Sequence, residues 1–204
     1  MSLKNIALIV DGPTEEGSLR LKFQMKYCDC PNLRIGPGNG ITYTTEGYAK
    51  GVLPTLIYLL NSSVRAIILI PDLEKRKVTP ADFANNLKKT IVDFLLAETS
   101  FLKPHLEETI HICPPDIMFE NWIVSDVEGI KDGNSLIHAG AVQKDFDGKN
   151  GTSELQKLMT TKYKKTVHAK LLYKKTDDER SANNSSSFKS FIDSFHQLYT
   201  KHCL

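Results

Sequence analysis

Residues 6–19 read IALIVDGPTEEGSL, and the punctuation of this stretch sets the fold class. Five apolar residues, β-branched at Ile6, Ile9 and Val10, stop abruptly at Asp11-Gly12-Pro13, as a buried strand stops at a turn. Thr14 reads as a helix N-cap, with Glu15 and Glu16 in the first turn, where carboxylates complement the helix dipole. That helix is expected to run to about Cys28. Residues 64–70 (VRAIILI) repeat the pattern and stop at Pro71-Asp72, and residues 108–113 form a third strand before Pro114-Pro115. Helices lie between and after them. One spans residues 46–60, where Pro54 marks a kink or a late start. A second opens at Thr79-Pro80-Ala81-Asp82 and carries Phe83, Leu87, Ile91, Phe94 and Leu95 at three- and four-residue spacings. A third covers residues 116–126. Alternating strands and helices, with crossovers longer than a dozen residues, predict an α/β fold with an open, largely parallel sheet.

The remainder is less regular. A glycine-rich loop at residues 36–40 leads into a β-like stretch at 41–44, and residues 129–151 read as loop. Short helices are expected at 152–159, 166–175 and 188–199, with a polar linker at 177–187. The chain therefore divides into an α/β domain, residues 1–130, and a loop-rich, helical C-terminal extension, residues 131–204, packed on that domain. No internal repeat is present.

The 204 residues are 41% apolar and 25% charged, a globular balance with length enough for a core without disulfides. No apolar run is long enough to span a bilayer and the first residues hold no signal-peptide core, so no membrane partner is expected. Cys28, Cys30, Cys113 and Cys203 have no zinc spacing, and their isolation suits a reducing cytoplasm. The net charge of +2 hides an asymmetry. Residues 155–176 hold seven lysines (Lys157, Lys162, Lys164, Lys165, Lys170, Lys174, Lys175) and no acid, while elsewhere 19 basic residues face 24 acidic ones. A basic block on an acidic body is either a solvated helix face or a phosphate-binding one.

Acids gather where strands end. The first strand gives Asp11, with Glu15 a turn beyond. The second gives Asp72 and Glu74, two apart in an extended segment and able to share a face. The third leads to Glu120. In a parallel sheet the carboxyl ends share one edge, and the ligand crevice lies there. Clustered carboxylates repel one another unless a cation neutralises them, and hard oxygen donors suit Mg²⁺ or Mn²⁺, which can activate water and stabilise a phosphoryl transition state. Each acid also has a plainer explanation, since helix starts favour Asp and Glu.

The stretches IALIVDGPTEEGSL, LIPDLEKR (69–76) and MFENWIVSD (118–126) resemble a Toprim-type domain of an uncharacterised bacterial branch, similar to the nuclease half of overcoming-lysogenization-defect proteins. The resemblance covers roughly the first 130 residues and thins beyond them to the lysine block and SSSFKSFIDSF. It implies a Rossmann-like (Toprim-type) sheet with a C-terminal helical appendage. It further implies a divalent-metal-dependent nuclease acting on DNA or RNA in a bacterial defence or repair module, alongside an ATPase partner. By position, Asp11, Glu15, Asp72 and Glu74 would hold Mg²⁺ or Mn²⁺. Glu120 would complete the shell or take a proton, Asp126 ends the matching helix, and Lys170 would contact the scissile phosphate. Lys162, Lys164, Lys165, Lys170, Lys174 and Lys175 would draw in nucleic acid. Two positions depart from the pattern: Asp11 stands where such domains usually carry Glu, and Glu74 where they usually carry Asp.

Other chemistries fit worse. Residues 12–18 (GPTEEGS) mimic P-loop glycine spacing but lack its lysine, and two acids there would repel phosphate. The glycines at 36–40 lack dinucleotide-site spacing. The six histidines have no zinc spacing, no Gly-x-Ser-x-Gly elbow is present, and Trp122 reads as a core residue. Two rival functions stay open: a non-catalytic Toprim-fold partner that binds an ATPase subunit or nucleic acid, and a nucleotide phosphohydrolase. A homo-oligomer is compatible with all three.

Overall fold

The structure is a computed structural model that describes residues 2–38 and 44–204. The β-like reading at 41–44 falls almost wholly outside them, and Thr44 is a helix cap. The sheet has four parallel strands: β1 (Ile6–Val10), β2 (Asn32–Ile35), β3 (Ala66–Ile70) and β4 (Ile110–Ile112), in the order β2-β1-β3-β4. It is open and of the α/β class, as the strand and helix alternation predicts. β1 and β3 are paired residue for residue, Ile6 beside Ala66 through Val10 beside Ile70, and all ten residues are buried. A strand covered on both faces reads as a continuous apolar run.

The connections alternate between the faces. α1 (Pro13–Tyr27) covers one face on the way to β2. α2 (Thr45–Leu60), α3 (Pro80–Glu98) and α4 (Lys103–Thr109) cover the other. Right-handed crossovers require this split when the chain first steps one way from β1 and then returns past it. Alternate strand residues supply two cores. Ala7, Ile9, Ile67 and Leu69 pack with Leu56, Phe83, Leu87 and Ile91, while Ile6, Leu8, Ile68 and Ile70 pack with Leu19, Phe23, Trp122 and Phe195.

The second core takes in the C-terminal half. α5 (Phe119–Val124), α6 (Val127–Lys131), α7 (Gly151–Leu158), α8 (Lys165–Tyr173), α9 (Asp178–Asn184) and α10 (Ser186–Cys203) follow β4, and their apolar residues join the α1 face. The extension from residue 131 is therefore continuous with the core of the α/β body. Trp122 is buried, as its reading as a core residue predicts: its ring stacks on Phe191 at 4.8 Å, and its Nε1 donates to Ser187 Oγ at 3.0 Å. The Asn5 side chain donates to the His202 carbonyl at 2.9 Å, pinning the start of β1 to the last turn of α10. Among the described residues no helix is long and apolar enough to cross a membrane.

Several expectations are corrected. The first helix is capped by Gly12, with Pro13 at its first position, so Thr14 already lies inside it. Its end is as expected, with Cys28 in the left-handed conformation beyond Tyr27. α2 does not start late: it runs from Thr45 with Pro54 inside it, after Thr44, whose side chain accepts from the Gly47 N–H. The third strand is short because residues 103–109 are helical, and the helix expected over 116–126 shrinks to Phe119–Val124. Residues 177–187 are no linker: Asp177 caps α9 through the Arg180 N–H, and Ser185 caps α10 through the Phe188 N–H.

Candidate active site

The sheet order reverses between β1 and β3, and in an open parallel sheet the ligand crevice lies outside the carboxyl ends at that point. Asp11 directly follows β1, and Asp72 lies two residues past β3. With Glu15 from the first turn of α1, Glu74 and Lys165, they line one open cleft of about 250 Å³. The four predicted metal ligands are thus brought together. Glu120 lies behind them, wholly buried on α5.

Each acid is held by identifiable groups. Asp11 Oδ2 accepts from the Asp72 N–H at 2.8 Å, and Oδ1 accepts from the Tyr48 hydroxyl at 3.0 Å. Asp72 Oδ1 accepts from the Phe119 N–H at 2.9 Å, so this carboxylate caps the first turn of α5. Glu15 sits over Gly12: a Cβ there would lie 2.8 Å from Glu15 Oε2, so the missing side chain makes room for the carboxylate. Glu74 is not extended, contrary to the expectation of a shared-face pair; it adopts φ 51, in the left-handed region. Its N–H donates to the Ile117 carbonyl at 2.7 Å, fastening the loop after β3 to the one before α5. Glu120 Oε1 accepts from the Tyr163 hydroxyl at 3.1 Å.

Lys165 is the cation among the cleft-lining residues. Its Nζ lies 2.7 Å from Glu15 Oε1 and 3.7 Å from Glu120 Oε2, tying α8 to both α1 and α5. Sequence reasoning placed Lys165 among seven similar lysines. Only the packing of α8 against α1 singles it out. Lys162, Lys164, Lys170 and Lys175 are exposed, and Lys175 donates to the Asp132 carbonyl at 2.7 Å. Lys170 lies five residues along α8 from Lys165, about 140° round the helix and so on a different face. Lys174 borders a separate hollow with Lys22, Lys26 and Asp178. Tyr48, Tyr163 and Arg76, which donates to the carbonyls of Asp72 and Leu73, also shape the site and carry no sequence motif.

Burial dominates the electrostatics. It pushes the Asp11 carboxyl up to about 7, against the Asp72 N–H and the Tyr48 hydroxyl, which favour the charged form. Burial and then repulsion from Asp11 raise the Asp72 carboxyl well above the usual carboxylate range, with Lys165 acting in the opposite direction. Burial alone would lower the Lys165 ammonium, but the charges of Glu120 and Glu15 outweigh it and hold the proton more firmly than usual. Burial and the adjacent Glu120 raise the Tyr163 phenol, which stays a donor.

The donors are of the type a hard divalent cation takes: four carboxylates line the cleft, and a buried carboxylate oxygen, Glu120 Oε2, has no hydrogen-bond partner. Among the described residues, however, no three His, Cys, Asp or Glu side chains are grouped as a ready metal shell. An ammonium stands between two of the acids instead.

Asp126, which the resemblance puts at the end of the helix after Glu120, lies outside this group as the cap of α6. It caps α6 through the Gly129 N–H at 2.9 Å, accepts from the Asp177 N–H at 2.6 Å, and pairs with Arg180, whose Nε and Nη2 lie 2.8 and 3.0 Å from its two oxygens. Its role is to join α6 to α9. Comparison with protein-family models, with curated proteins and with solved structures gives no match to this chain.

Proposed function

We propose that the chain is a divalent-metal-dependent phosphodiesterase that cleaves DNA or RNA. The observation that carries the proposal is the convergence of Asp11, Glu15, Asp72 and Glu74 at the switch point of the sheet, with Lys165 among them. These four carboxylates would hold Mg²⁺ or Mn²⁺, with water filling the remaining positions. When bound, such a cation polarises a phosphoryl oxygen and lowers the pKa of coordinated water. Glu120, whose Oε1 accepts from the Tyr163 hydroxyl, would complete the shell or take a proton. The exposed Lys162, Lys164, Lys170 and Lys175, with Lys174, attract the backbone, which gives binding that weakens steeply with salt. The resemblance of the strand-end stretches to Toprim-type nucleases supports the same reading. It also adds an ATPase companion and a bacterial defence or repair setting in the cytoplasm as parts of the proposal.

The test is cleavage of supercoiled plasmid and of end-labelled RNA with Mg²⁺, Mn²⁺ or EDTA, comparing wild type with Glu74→Gln and Asp72→Asn. Metal-dependent cleavage that both variants lose is expected, and equal cleavage by all three overturns the assignment. One feature favours a second reading, a non-catalytic binding partner: Asp11 and Asp72 both serve backbone N–H groups, and no ready shell is found among the described residues. Calorimetric titration with Mn²⁺ separates the two, because a scaffold whose acids are purely structural takes up no cation.

A further inference from the structure

Lys165 is the first residue of α8, and Lys164, its N-cap, makes no side-chain cap. A cation is disfavoured at a helix N-terminus, where the dipole is positive, so α8 itself does not hold the ammonium there. The acids do. Glu15 and Glu120 are both buried, and two such carboxylates without a counter-charge would be costly. Yet the fit is lopsided. Lys165 Nζ contacts Glu15 closely but stops 3.7 Å from Glu120 Oε2, the buried oxygen that has no hydrogen-bond partner. The side chain is 42% exposed along its length, so it has an open path to solvent. A lysine on a flexible stem suits a removable charge better than a fixed arginine fork would.

We propose that Lys165 is the resident counter-ion of the cleft: its ammonium stands in for a divalent cation between Glu15 and Glu120, and cation binding expels it. The inference rests on the metal-dependent reading above. It accounts for an ammonium held closely by Glu15 beside a buried Glu120 oxygen that has no hydrogen-bond partner. Expulsion completes the site in two ways. It frees Glu15 and Glu120 for the cation, and it turns a positive charge outward to the mouth of the cleft, where a phosphate would arrive. Cation uptake and presentation of the phosphate-binding lysine become one event.

The experiment is a calorimetric titration of Mn²⁺ into metal-free wild type, Lys165→Met and Lys165→Arg. Removing the competing charge tightens Mn²⁺ binding in Lys165→Met by about tenfold, while Lys165→Arg, which keeps the charge, stays within about threefold of wild type. A second measurement needs no variant. An amine-acylating reagent read by mass spectrometry labels Lys165 of the wild type several-fold faster with Mn²⁺ than without, whereas Lys170 on the same helix is unchanged. Equal or weaker Mn²⁺ binding by Lys165→Met, or labelling of Lys165 that ignores Mn²⁺, overturns the counter-ion role and leaves the metal reading standing. Absence of Mn²⁺ binding in all three proteins overturns the metal reading, and the counter-ion role with it.

Discussion

The backbone N–H of Asp72 donates to Asp11 Oδ2 at 2.8 Å, so the acid that follows β3 is tied to the acid that ends β1. The bond fixes the two strand ends at the centre of the cleft. It also sets a tension between function and stability, because Asp11 is kept where burial opposes its charge.

Replacing Asp11 by Asn exposes that tension. The Asp11 pKa is raised from 3.8 unfolded to about 7 folded, so the folded state keeps the proton longer. The associated stability is complete below about pH 4 and is lost as pH rises towards and through 7. An amide oxygen still accepts from the Asp72 N–H without a charge to bury. In EDTA, Asp11→Asn is more stable than wild type by about 1–3 kcal/mol at pH 8, and the difference vanishes near pH 4. Urea unfolding at both pH values checks this, and a pH-independent difference refutes it.

Two glycines should respond to a methyl group through different neighbours, one a side chain and the other backbone. At Gly12 the new Cβ meets the far end of the Glu15 side chain and no backbone, so Gly12→Ala costs about 1–2 kcal/mol as Glu15 is displaced from Lys165, and it weakens cleavage. At Gly151 the Cβ would lie 2.6 Å from the Asn121 nitrogen and 2.7 Å from the Glu120 carbonyl carbon. Backbone cannot yield so easily, and Gly151→Ala costs about 2–3 kcal/mol as α7 is forced off α5. Thermal melts and cleavage assays on the pair read the contrast directly.

Tyr163→Phe removes the donor to Glu120 Oε1 and leaves a buried carboxylate oxygen unpaired, costing about 1–3 kcal/mol. Adding Glu120→Gln recovers part of the loss, since a neutral amide is cheaper to bury. A double-mutant cycle by denaturant unfolding reports the coupling, and additive effects would show that the contact carries no energy.

Asp126 and Arg180 govern the acid limb of stability. Burial raises the Asp126 carboxyl, but Arg180 and the N–H groups of Asp177 and Gly129 together outweigh it and hold it below its ordinary value. The stability linked to a depressed carboxylate is present above its unfolded pKa and is lost as pH falls through the folded one. Arg180 is nearly half exposed, so screening limits the gain. Arg180→Leu therefore lowers stability by about 1–2 kcal/mol at pH 7 and by much less at pH 2.5. An equal loss at both values rules out the ionic contribution.

The central strands were legible because burial on both faces leaves an unbroken apolar run, and Asp-Gly-Pro and Pro-Asp mark its ends. β2 gave no such signal: NLRI is an edge strand of four residues, two of them exposed. α9 was hidden by its polarity, since DERSANN has no apolar face and is held by its Asp177 cap and by Arg180 on Asp126. The convergence of Asp11, Glu15, Asp72 and Glu74 followed from parallel-sheet geometry alone. The place of Lys165 did not, because its neighbours in sequence are equally basic and only the docking of α8 distinguishes it. Asp126 shows the converse limit: an acid at a helix boundary reads alike whether it serves a ligand or an arginine.

The bond from Asn5 to the carbonyl of His202 joins residues 197 positions apart. β1 is an inner strand of the sheet, and Leu8 on one of its faces shares its cluster with Phe195 and Leu198 of α10. The native contacts of that strand therefore close only when α10 has docked, across a separation of 197 positions. Contacts so distant in sequence slow folding. Detaching α10 alone would therefore uncover part of the apolar run Ile6–Val10 on that face of the sheet.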